Sequence, residues 1–326
     1  MTVEIGVQTP QVSIVVRTKD RPELLRRALR SITTQKFEDW EAVIVNDGGA
    51  PATVDLVLGE LPEHHRRRIT ALHSKPSRGR GVSANAGVLA TSAPLLVLHD
   101  DDDTWHPDFL NLAVDYLDAH PERDGIVSRI EIVWEEEQNG ELVPTDRTMF
   151  QGQLSDPMLG DELLLNRFVP IGFLYRRSLH EELGLYDEKL PVVGDWDFNL
   201  KVLTRGPLEY LGDTPYAYWH QRRGHTGASG NSVIAARGDH KRFDALVRDQ
   251  ALRQYINEYG PGLPLYLSKF IETQLRDAKG NLRRDIRGDL RRDLADLRRD
   301  IREDLRNSSV LIRIYAKIRR LLGLPS

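Results

Sequence analysis

The first two hundred residues alternate between short runs of consecutive apolar residues and stretches whose apolar residues lie three or four positions apart. Continuous runs are typical of buried strands in a parallel sheet, whereas spacing of three or four indicates a helix with one apolar face. Strands are predicted at 12–16, 40–45, 68–73, 94–98 and 125–134, and helices at 20–32, 51–60, 83–90 and 108–119. This alternation predicts an α/β fold with a mixed, mostly parallel sheet flanked by helices.

Capping signals and further periodic stretches complete the predicted first domain. Asp20 is a plausible N-cap for the first helix, with Pro22 in its first turn. Residues 135–153 are polar and predict a loop or a hairpin. A returning strand at 168–175, a helix at 177–183 and a further helix that starts at 195 complete a first domain, which we place at residues 1–235.

The pattern changes after this domain. Residues 236–280 are predicted to form a helical linker region, and 281–306 to form one long helix that is charged except for a narrow apolar seam. The seam residues are Leu282, Ile286, Leu290, Leu294, Leu297, Ile301 and Leu305. Such a seam is typical of coiled coils and predicts a homo-oligomer. A solitary solvated helix with Arg–Asp pairs four residues apart is the alternative.

Residues 307–326 are both apolar and basic. They carry four positive charges and no acidic residue; the charges are those of Arg313, Lys317, Arg319 and Arg320. A segment of this kind can lie on an anionic membrane surface, or it can dock on the protein body or on a partner. The sequence leaves both interpretations open.

Composition narrows the class of protein. With a formal net charge of −4, the chain gives no global reason to expect nucleic-acid binding. It has no cysteine, which excludes disulfides and thiolate metal sites. The N-terminus lacks a basic region followed by an apolar stretch, and no apolar run is long enough to span a membrane. We therefore expect a cytoplasmic protein, which the basic end could bring to the inner face of the cell membrane.

Four consecutive carboxylates, Asp100 to Asp103, directly follow the predicted strand at 94–98. Open α/β sheets bind ligands at the carboxyl ends of their strands. A divalent cation such as Mg²⁺ or Mn²⁺ prefers a few carboxylates together with substrate phosphates, so the cluster indicates a metal and phosphate site. An acidic turn that caps the next helix is the alternative.

Five segments, in this order, resemble the landmarks of family 2 glycosyltransferases with the GT-A fold. They are Val12–Asp20, Asn46–Gly49, Gly81–Gly87, Leu98–Trp105 and Gly194–Asp197. The resemblance covers about residues 10–230 and implies a GT-A-type, Rossmann-like sheet. It also implies a metal-dependent, inverting hexosyltransferase that uses Mn²⁺ or Mg²⁺ and a nucleoside-diphosphate sugar, UDP being the first nucleotide to consider. The acceptor would be a hydroxyl of a glycan or of a lipid-linked acceptor in cell-surface polysaccharide synthesis.

The resemblance assigns roles on the donor side. Thr18 and Asp47 would contact the nucleotide, and Asp100 would face the ribose. Asp102 would bind the metal between the diphosphate oxygens, and Asp101, in the variable position of the motif, could share either role. Each assignment has a plain structural alternative, such as an ordinary Asp-Gly turn at Asp47.

The resemblance also assigns the acceptor side. Asp195 would be the general base that removes the proton of the incoming hydroxyl. Asp197 is its rival and is otherwise expected near the acceptor or the donor sugar, or simply at a helix N-terminus. Many relatives carry an arginine where this chain has Ala84, and Arg80 is the candidate substitute.

The remaining assignments concern aromatic residues and histidines. The segment 218–232 resembles a loop that closes over the donor diphosphate, in which His220 or His225 could bind the metal. Trp105 and Trp196 are expected to stack on the acceptor or the donor sugar, with core packing as the alternative for both.

Two other functions remain to be weighed. A nucleotidyltransferase also uses aspartates and Mg²⁺ on a similar sheet, but it normally has a glycine-rich phosphate loop after its first strand, and residues 17–22 contain no glycine. A catalytically inactive scaffold of the same fold, acting through its C-terminal helix, is the second alternative. The retention of Asp47, Asp100, Asp102 and Asp195 disfavours such decay.

Overall fold

The computed structural model describes residues 9–222 and 237–323, and the chain divides into two compact units, 1–248 and 249–326. The strands are β1 (Val12–Thr18), β2 (Trp40–Asp47), β3 (Ile69–Ser74), β4 (Leu95–Asp100), β5 (Thr104–Trp105), β6 (Gly125–Gln138), β7 (Glu141–Phe150), β8 (Phe173–Arg176) and β9 (Tyr210–Arg222). The helices are α1 (Pro22–Thr33), α2 (Pro51–Gly59), α3 (Glu63–Arg66), α4 (Arg80–Ala90), α5 (Phe109–Ala119), α6 (Leu159–Glu162), α7 (Ser178–Leu183), α8 (Gly194–Leu203), α9 (Arg237–Tyr259) and α10 (Gly262–Leu321).

All the described strands join one mixed sheet in the order β3-β2-β1-β4-β8-β6-β9-β5, with β7 paired to β6. Strand β1 lies between β2 and β4 and is parallel to both. The carboxyl ends of these strands therefore meet at one edge, where Arg17 is in register with Asp100 and Thr18 with Asn46. The predicted α/β fold is confirmed.

Helix α1 buries the apolar face that its sequence predicts. Its predicted apolar residues, Leu24, Leu25, Ala28, Leu29 and Ile32, are all buried. The predicted N-cap at Asp20 was wrong, because Asp20 has a left-handed φ of 51° and its carboxylate accepts the Ala50 N–H at 3.0 Å. The helix begins at Pro22, with Arg21 in the cap position.

The region from 135 to 176 is partly regular. The polar stretch is a hairpin, since β6 and β7 pair in antiparallel fashion as far as Gln138 and Glu141. The predicted strand at 168–175 was too long. Only Phe173–Arg176 is strand, and Pro170–Gly172 before it is a turn of 3-10 helix. Pro170 has no N–H to donate, which makes it a poor residue for a paired strand.

Gly87 allows α4 to pack closely on β1. A Cβ atom at this position would overlap the side chain of Val15, which is fully buried and has no room to move. An alanine in a helix normally stabilises it relative to glycine. We expect the opposite sign for Gly87→Ala, a loss of about 1–3 kcal/mol in the free energy of unfolding measured with urea, as is typical of overpacking. Gly59→Ala is the control, because nothing lies within 4 Å of its added Cβ, and equal stabilisation of both variants would contradict the packing argument.

The C-terminal unit contains α10, which is one uninterrupted helix of 60 residues. It runs without interruption through the segment boundaries that the sequence pattern placed after 280 and after 306. The only division of helical structure in 237–323 falls between Tyr259 and Gly262. In the described part of the chain, no helix is long and apolar enough to cross a membrane.

Candidate active site

The four aspartates lie where β4 ends, and each has a different environment. Asp100 receives two hydrogen bonds from the guanidinium of Arg17, at 2.8 and 2.9 Å, and one from Arg80 at 2.6 Å. Burial alone would raise the pKa of Asp100, but the charges of Arg17 and Arg80 outweigh it and hold this pKa well below its usual range. Asp100 is therefore a stable anion at the floor of the site.

Asp101 points into the protein instead. It is completely buried, and it accepts the Thr18 hydroxyl at 2.6 Å and Arg21 Nε at 3.0 Å. Burial raises the pKa of Asp101 to about 7, although Arg21 opposes the shift. The structure thus brings the predicted nucleotide residues Thr18 and Asp101 together, but as a buried pair that ties the end of β1 to the end of β4.

Asp102 and Asp103 are joined to β9. Asp102 accepts a hydrogen bond at 2.8 Å from Arg222, whose side chain is fully buried, and its backbone oxygen accepts Arg27 Nη2 at 2.6 Å. Asp103 Oδ1 accepts the backbone N–H of His220 at 3.1 Å. Burial, with the charges of Asp102 and Asp100 next, raises the pKa of Asp103 well above its usual value.

Three of these carboxylates form a donor set that suits a hard divalent cation. One oxygen atom of each of Asp100, Asp102 and Asp103 lies within 4.8 Å of the others. Mg²⁺ and Mn²⁺ prefer carboxylate oxygens, and a cation here would relieve the repulsion that raises the pKa of Asp103. The residues present therefore fit the predicted metal.

Asp195 lies in the first turn of α8 and lines the same cleft as Asp100, Asp102 and Asp103. Its Oδ2 accepts a hydrogen bond from Asn166 Nδ2 at 2.9 Å. The Asn166 side-chain oxygen in turn accepts a hydrogen bond from Asn199 at 3.1 Å. Two amides thus fix the direction of the Asp195 carboxylate, which has no arginine partner among the described residues.

Arg80 and Ala84 face this cleft from consecutive turns of α4. The charge of Asp100 first, and those of Asp102 and Asp195 after it, raise the pKa of Arg80. Arg80 thus lies one helical turn before Ala84, the position that the family resemblance gives to an arginine. The substitution of Arg80 for that arginine stays a prediction.

Asp47 is occupied by its own loop. Its carboxylate accepts the backbone N–H of Arg78 at 2.7 Å, that of Gly79 at 3.0 Å and the hydroxyl of Ser77 at 2.7 Å. Burial opposes the shift, but these hydrogen bonds lower the pKa of Asp47. The structure therefore places Asp47 where it holds the loop that precedes α4, and it is not among the residues that line the cleft.

The two predicted tryptophan platforms are core residues, and that prediction needs correction. Trp105 is 4% exposed and donates its indole N–H to the Ile171 carbonyl at 2.7 Å, while Trp196 is 3% exposed and donates to the Glu162 carbonyl at 2.7 Å. A buried ring has no free face for a sugar. The tryptophan that lines the cleft is Trp219, on β9.

Neither the Asp197 carboxylate nor the His220 ring belongs to the cluster formed by Asp100, Asp102 and Asp103. Asp197 forms an ion pair with Lys201 at 2.7 Å, one turn along α8, and it does not line the cleft. Both ring nitrogens of His220 have other partners, Glu135 at 2.7 Å and Thr104 at 2.8 Å. The structure thus does not place His220 as a metal ligand. His225 and the rest of the predicted loop from 223 to 232 lie outside the described residues.

The sequence predicted only part of the positive side of the site, namely Arg80 and, as a candidate phosphate contact, Arg222. Five arginines surround the aspartates. Four come from β1, α1, α4 and β9, and one from the segment between β1 and α1; they are Arg17, Arg27, Arg80, Arg222 and Arg21. Glu135 links Arg27, at 2.5 Å, to His220. Arg17 and Arg21 could have been found from their place at the end of β1. Arg27 and Glu135 carried no local signal, because they lie far along the chain from each other and their contact forms only in the folded protein.

Glu162 is a buried carboxyl near Asp195. It is completely buried, and this burial raises its pKa to about 8 from an ordinary 4.5, with the charge of Asp195 adding to the shift. The folded protein then keeps a proton that the unfolded chain releases between pH 4.5 and 8, so stability should fall as the pH rises through this window. Glu162→Gln preserves the neutral form. We expect it to flatten the dependence of the free energy of unfolding on pH, by up to about 1.4 kcal/mol per pH unit.

Urea unfolding of the Glu162→Gln variant between about pH 5 and pH 8.5 measures this effect. The same substitution at Glu181, which is exposed, is the control. If the parent protein and the Glu162→Gln variant show the same dependence on pH, Glu162 is not the buried acid described here.

Comparison with known proteins identifies relatives of this chain in sequence and in fold. A family model described as Glycosyl transferase family 2 matches residues 13–184. The chain is 33% identical over 192 residues to an uncharacterized glycosyltransferase, YwdF, of Bacillus subtilis, covering 59% of this chain and 67% of that protein. It is 26% identical over 200 residues to a PGL/p-HBAD biosynthesis glycosyltransferase of Mycobacterium bovis, covering 61% of this chain and 72% of that protein.

Solved structures show the same fold. TarS 1–349 of S. aureus in complex with UDP-GlcNAc gives a TM-score of 0.53 at 18% identity, covering 78% of this chain and 75% of that one. The same protein in complex with UDP gives 0.52 at 20% identity, and there the match spans 64% of this chain and 60% of that one. At these identities the likeness concerns the fold alone.

Proposed function

The chain belongs to glycosyl transferase family 2, and from this premise we propose that it moves a sugar from a nucleoside-diphosphate sugar to an acceptor hydroxyl with inversion at the anomeric carbon. One observation carries the proposal. A single cleft holds three clustered carboxylates, two arginines and a separate carboxylate, Asp195, that is held by the side-chain amide of Asn166. These are the groups that a metal, a diphosphate and an acceptor hydroxyl require.

Asp195 is the proposed general base. The bond between the anomeric carbon and the phosphate oxygen breaks, and its electron pair leaves on the nucleoside diphosphate. The acceptor oxygen forms the new bond to the opposite face of that carbon, and its proton passes to the Asp195 carboxylate. Asn166 and Asn199 hold this carboxylate in place, and correct orientation lowers the barrier because little reorganisation is left for the transition state.

Asp100, Asp102 and Asp103 would hold Mn²⁺ or Mg²⁺. When bound, the cation supplies Lewis-acid stabilisation of the negative charge on the departing diphosphate. Arg80 and Arg17 add fixed positive charge at the same wall of the cleft. We assign a supporting part to Asp47, through the loop 77–79, and to Thr18, through Asp101, on the nucleotide side.

Trp219 is the proposed sugar platform, in place of Trp105 and Trp196. It lines the cleft, and its ring packs edge-on against Phe150 at a centroid distance of 5.3 Å. An aromatic face fixed in this way can stack on the C–H face of a hexose.

UDP is the first nucleotide to test, because the TarS structures that share this fold contain UDP and UDP-GlcNAc. The acceptor is proposed to be a glycan or a lipid-linked molecule in cell-surface polysaccharide synthesis, met at the inner face of the cell membrane. The basic segment at 307–326 supports this location, because its cationic side chains would favour an anionic surface. Flotation of the protein with vesicles containing anionic lipid, compared with neutral vesicles, tests it, and equal flotation would contradict the location.

A nucleotidyltransferase remains disfavoured, because the segment after β1 is still without a glycine-rich phosphate loop. An inactive scaffold is disfavoured by the arrangement of Asp195 and the three aspartates around one cleft. A thermal-shift screen of UDP, GDP, dTDP and CMP, each with Mn²⁺, Mg²⁺ or EDTA, separates the transferase from the inactive scaffold. Ligand at a hundredfold excess over its dissociation constant adds about 2.7 kcal/mol of stability.

We expect a metal-dependent rise in the melting temperature with one nucleoside diphosphate. The absence of any shift would favour the scaffold. A shift with nucleoside diphosphates that EDTA does not abolish would contradict the metal site while leaving nucleotide binding in place.

A further inference from the structure

Helix α10 carries an apolar stripe that stays exposed in the single chain. The exposed fractions of five stripe residues are 57%, 57%, 46%, 55% and 49%, for Ile286, Leu290, Leu294, Leu297 and Ile301. Contiguous exposed apolar surface of this kind marks an interaction site in soluble proteins. A helix also gains most of its stability by packing such a face against another element.

The stripe follows a regular repeat. Ile286, Leu290 and Leu294 recur eleven positions later as Leu297, Ile301 and Leu305. A repeat of eleven residues has about 3.67 residues per turn, which keeps an apolar seam on one face of a helix pair with a slight right-handed supercoil. The seam therefore suits a partner helix that runs alongside it over its whole length.

The charges beside the stripe are sorted by sign. Successive residues on a helix are rotated by about 100°, so the residue before and the residue after a seam position lie on opposite flanks. From Ile286 onward, the residues immediately before seam positions are Asp285, Asp289, Asp293, Asp296, Asp300 and Asp304. Those immediately after seam positions are Arg283, Arg287, Arg291, Ala295, Arg298, Arg302 and Arg306. From that point one flank is entirely acidic, and the other carries arginine at every position except one.

This sorting selects both the partner and its direction. When two copies of such a helix pack in parallel about a two-fold axis, the acidic flank of each faces the basic flank of the other on both sides of the seam. When they pack antiparallel, acidic faces acidic and basic faces basic, which repels. In the single chain, the ion pairs within the described residues of 282–304 do not use the arginines of the basic flank. They join Arg292 to Asp289 and Arg299 to Asp296, and both arginines lie on the face opposite the seam.

We propose that residues 282–305 form a parallel, in-register pair with the same segment of a second copy of this chain. The apolar stripe supplies the contact area, and the sorted flanks set the direction and the register. This pairing is independent of the proposed sugar transfer, so the failure of one leaves the other standing.

Charge reversal of one flank in the full chain tests the pairing. An acidic variant carries Arg287→Asp, Arg291→Asp, Arg298→Asp and Arg302→Asp, and a basic variant carries Asp289→Arg, Asp293→Arg, Asp300→Arg and Asp304→Arg. Sedimentation equilibrium should give about twice the 37.1 kDa chain mass for the parent protein. Each variant alone should associate at least tenfold more weakly, and an equimolar mixture of the two should recover the parent affinity.

Outward arginines provide the matched control. Arg284→Asp, Arg292→Asp and Arg299→Asp change the same type of charge on the face opposite the seam, and association should change less than threefold. A parent protein that stays monomeric at high concentration, or a mass of three chains or more, would overturn the proposal. An outward variant that dissociates as strongly as the acidic variant would overturn the sorted-flank argument.

The absence of cysteine in the parent chain makes the direction measurable. In a parallel, in-register pair, the Leu290→Cys variant and the Ile301→Cys variant should each form a disulfide with its own copy, because identical positions face each other. In an antiparallel pair, a residue meets the same residue of the other copy only at the midpoint of the overlap. At most one of the two variants could then form a disulfide with its own copy. A mixture of the two variants in which disulfides form mainly between a Leu290→Cys chain and an Ile301→Cys chain would show antiparallel pairing and contradict the proposal.

Discussion

Replacing Asp195 by asparagine is expected to lower kcat for sugar transfer by about 10²–10⁴-fold, the usual contribution of a general base. Asparagine has nearly the same shape and can keep a hydrogen bond to Asn166, but it cannot accept the proton of the acceptor hydroxyl. In the proposed arrangement, the donor diphosphate would contact other groups in the cleft. Binding of UDP with metal, measured by thermal shift, should therefore stay within twofold of the parent protein.

Asp197 provides a matched control two residues along the same helix. Its carboxylate pairs with Lys201 at 2.7 Å and does not line the cleft. Asp197→Asn should change kcat less than fivefold. If Asp197→Asn removes activity and Asp195→Asn keeps it, the roles of these two aspartates are reversed. If both variants stay active, the base is neither of them.

Replacing Asp102 by alanine is expected to remove metal-dependent nucleotide binding and to destabilise the fold. The substitution deletes one of the three clustered carboxylates. It also takes a carboxylate partner from Arg222, a fully buried cation, and the loss of one partner of a buried ion pair costs about 3 kcal/mol or more. Thermal shift with UDP and Mn²⁺ measures the first effect, and urea unfolding of the free protein measures the second.

A double variant separates the two effects. Asp102→Ala combined with Arg222→Met removes both charges, so much of the lost free energy of unfolding should return, because an apolar side chain tolerates burial at this position. The metal-dependent shift should stay absent, since the ligand is still missing. A metal-dependent shift of parent size in Asp102→Ala would exclude Asp102 from the metal site.

The expected effects on activity and the expected effect on stability have different origins. The roles proposed for Asp102 and Asp195 came from the sequence, through the resemblance of their short motifs to family 2 glycosyltransferases, and the structure places both residues in one cleft. The ion pair with Arg222 was not predictable, since 120 residues of sequence separate the partners in the pair. The effect on stability is thus a property that only the folded chain reveals.

The same difference between local sequence and folded structure explains why Trp105, Trp196 and the His220 ring do not lie where the sequence suggested. Trp105 and Trp196 each stand beside an acidic motif in the sequence, and proximity along the chain suggested a place in the cleft. Neither ring reaches the cleft, because neighbouring residues point to different sides of a turn or a helix. Both tryptophan side chains point into the core. His220 was likewise near the right elements, but its ring is held by Glu135 and Thr104 from two other strands.

Local patterning was enough to establish the order of strands and helices, the clustering of acidic residues at the end of β4, and the seam and flanks of α10. These features depend on periodicity within short stretches and on the common direction of parallel strands, which a single stretch of chain already encodes. Folding was needed to select which arginines neutralise the aspartates, which carboxylate lines the cleft beside the Asn166 amide and which tryptophan lines the cleft. Those outcomes depend on contacts between residues far apart in the chain, where burial and Coulomb energy, and not local pattern, select the partners.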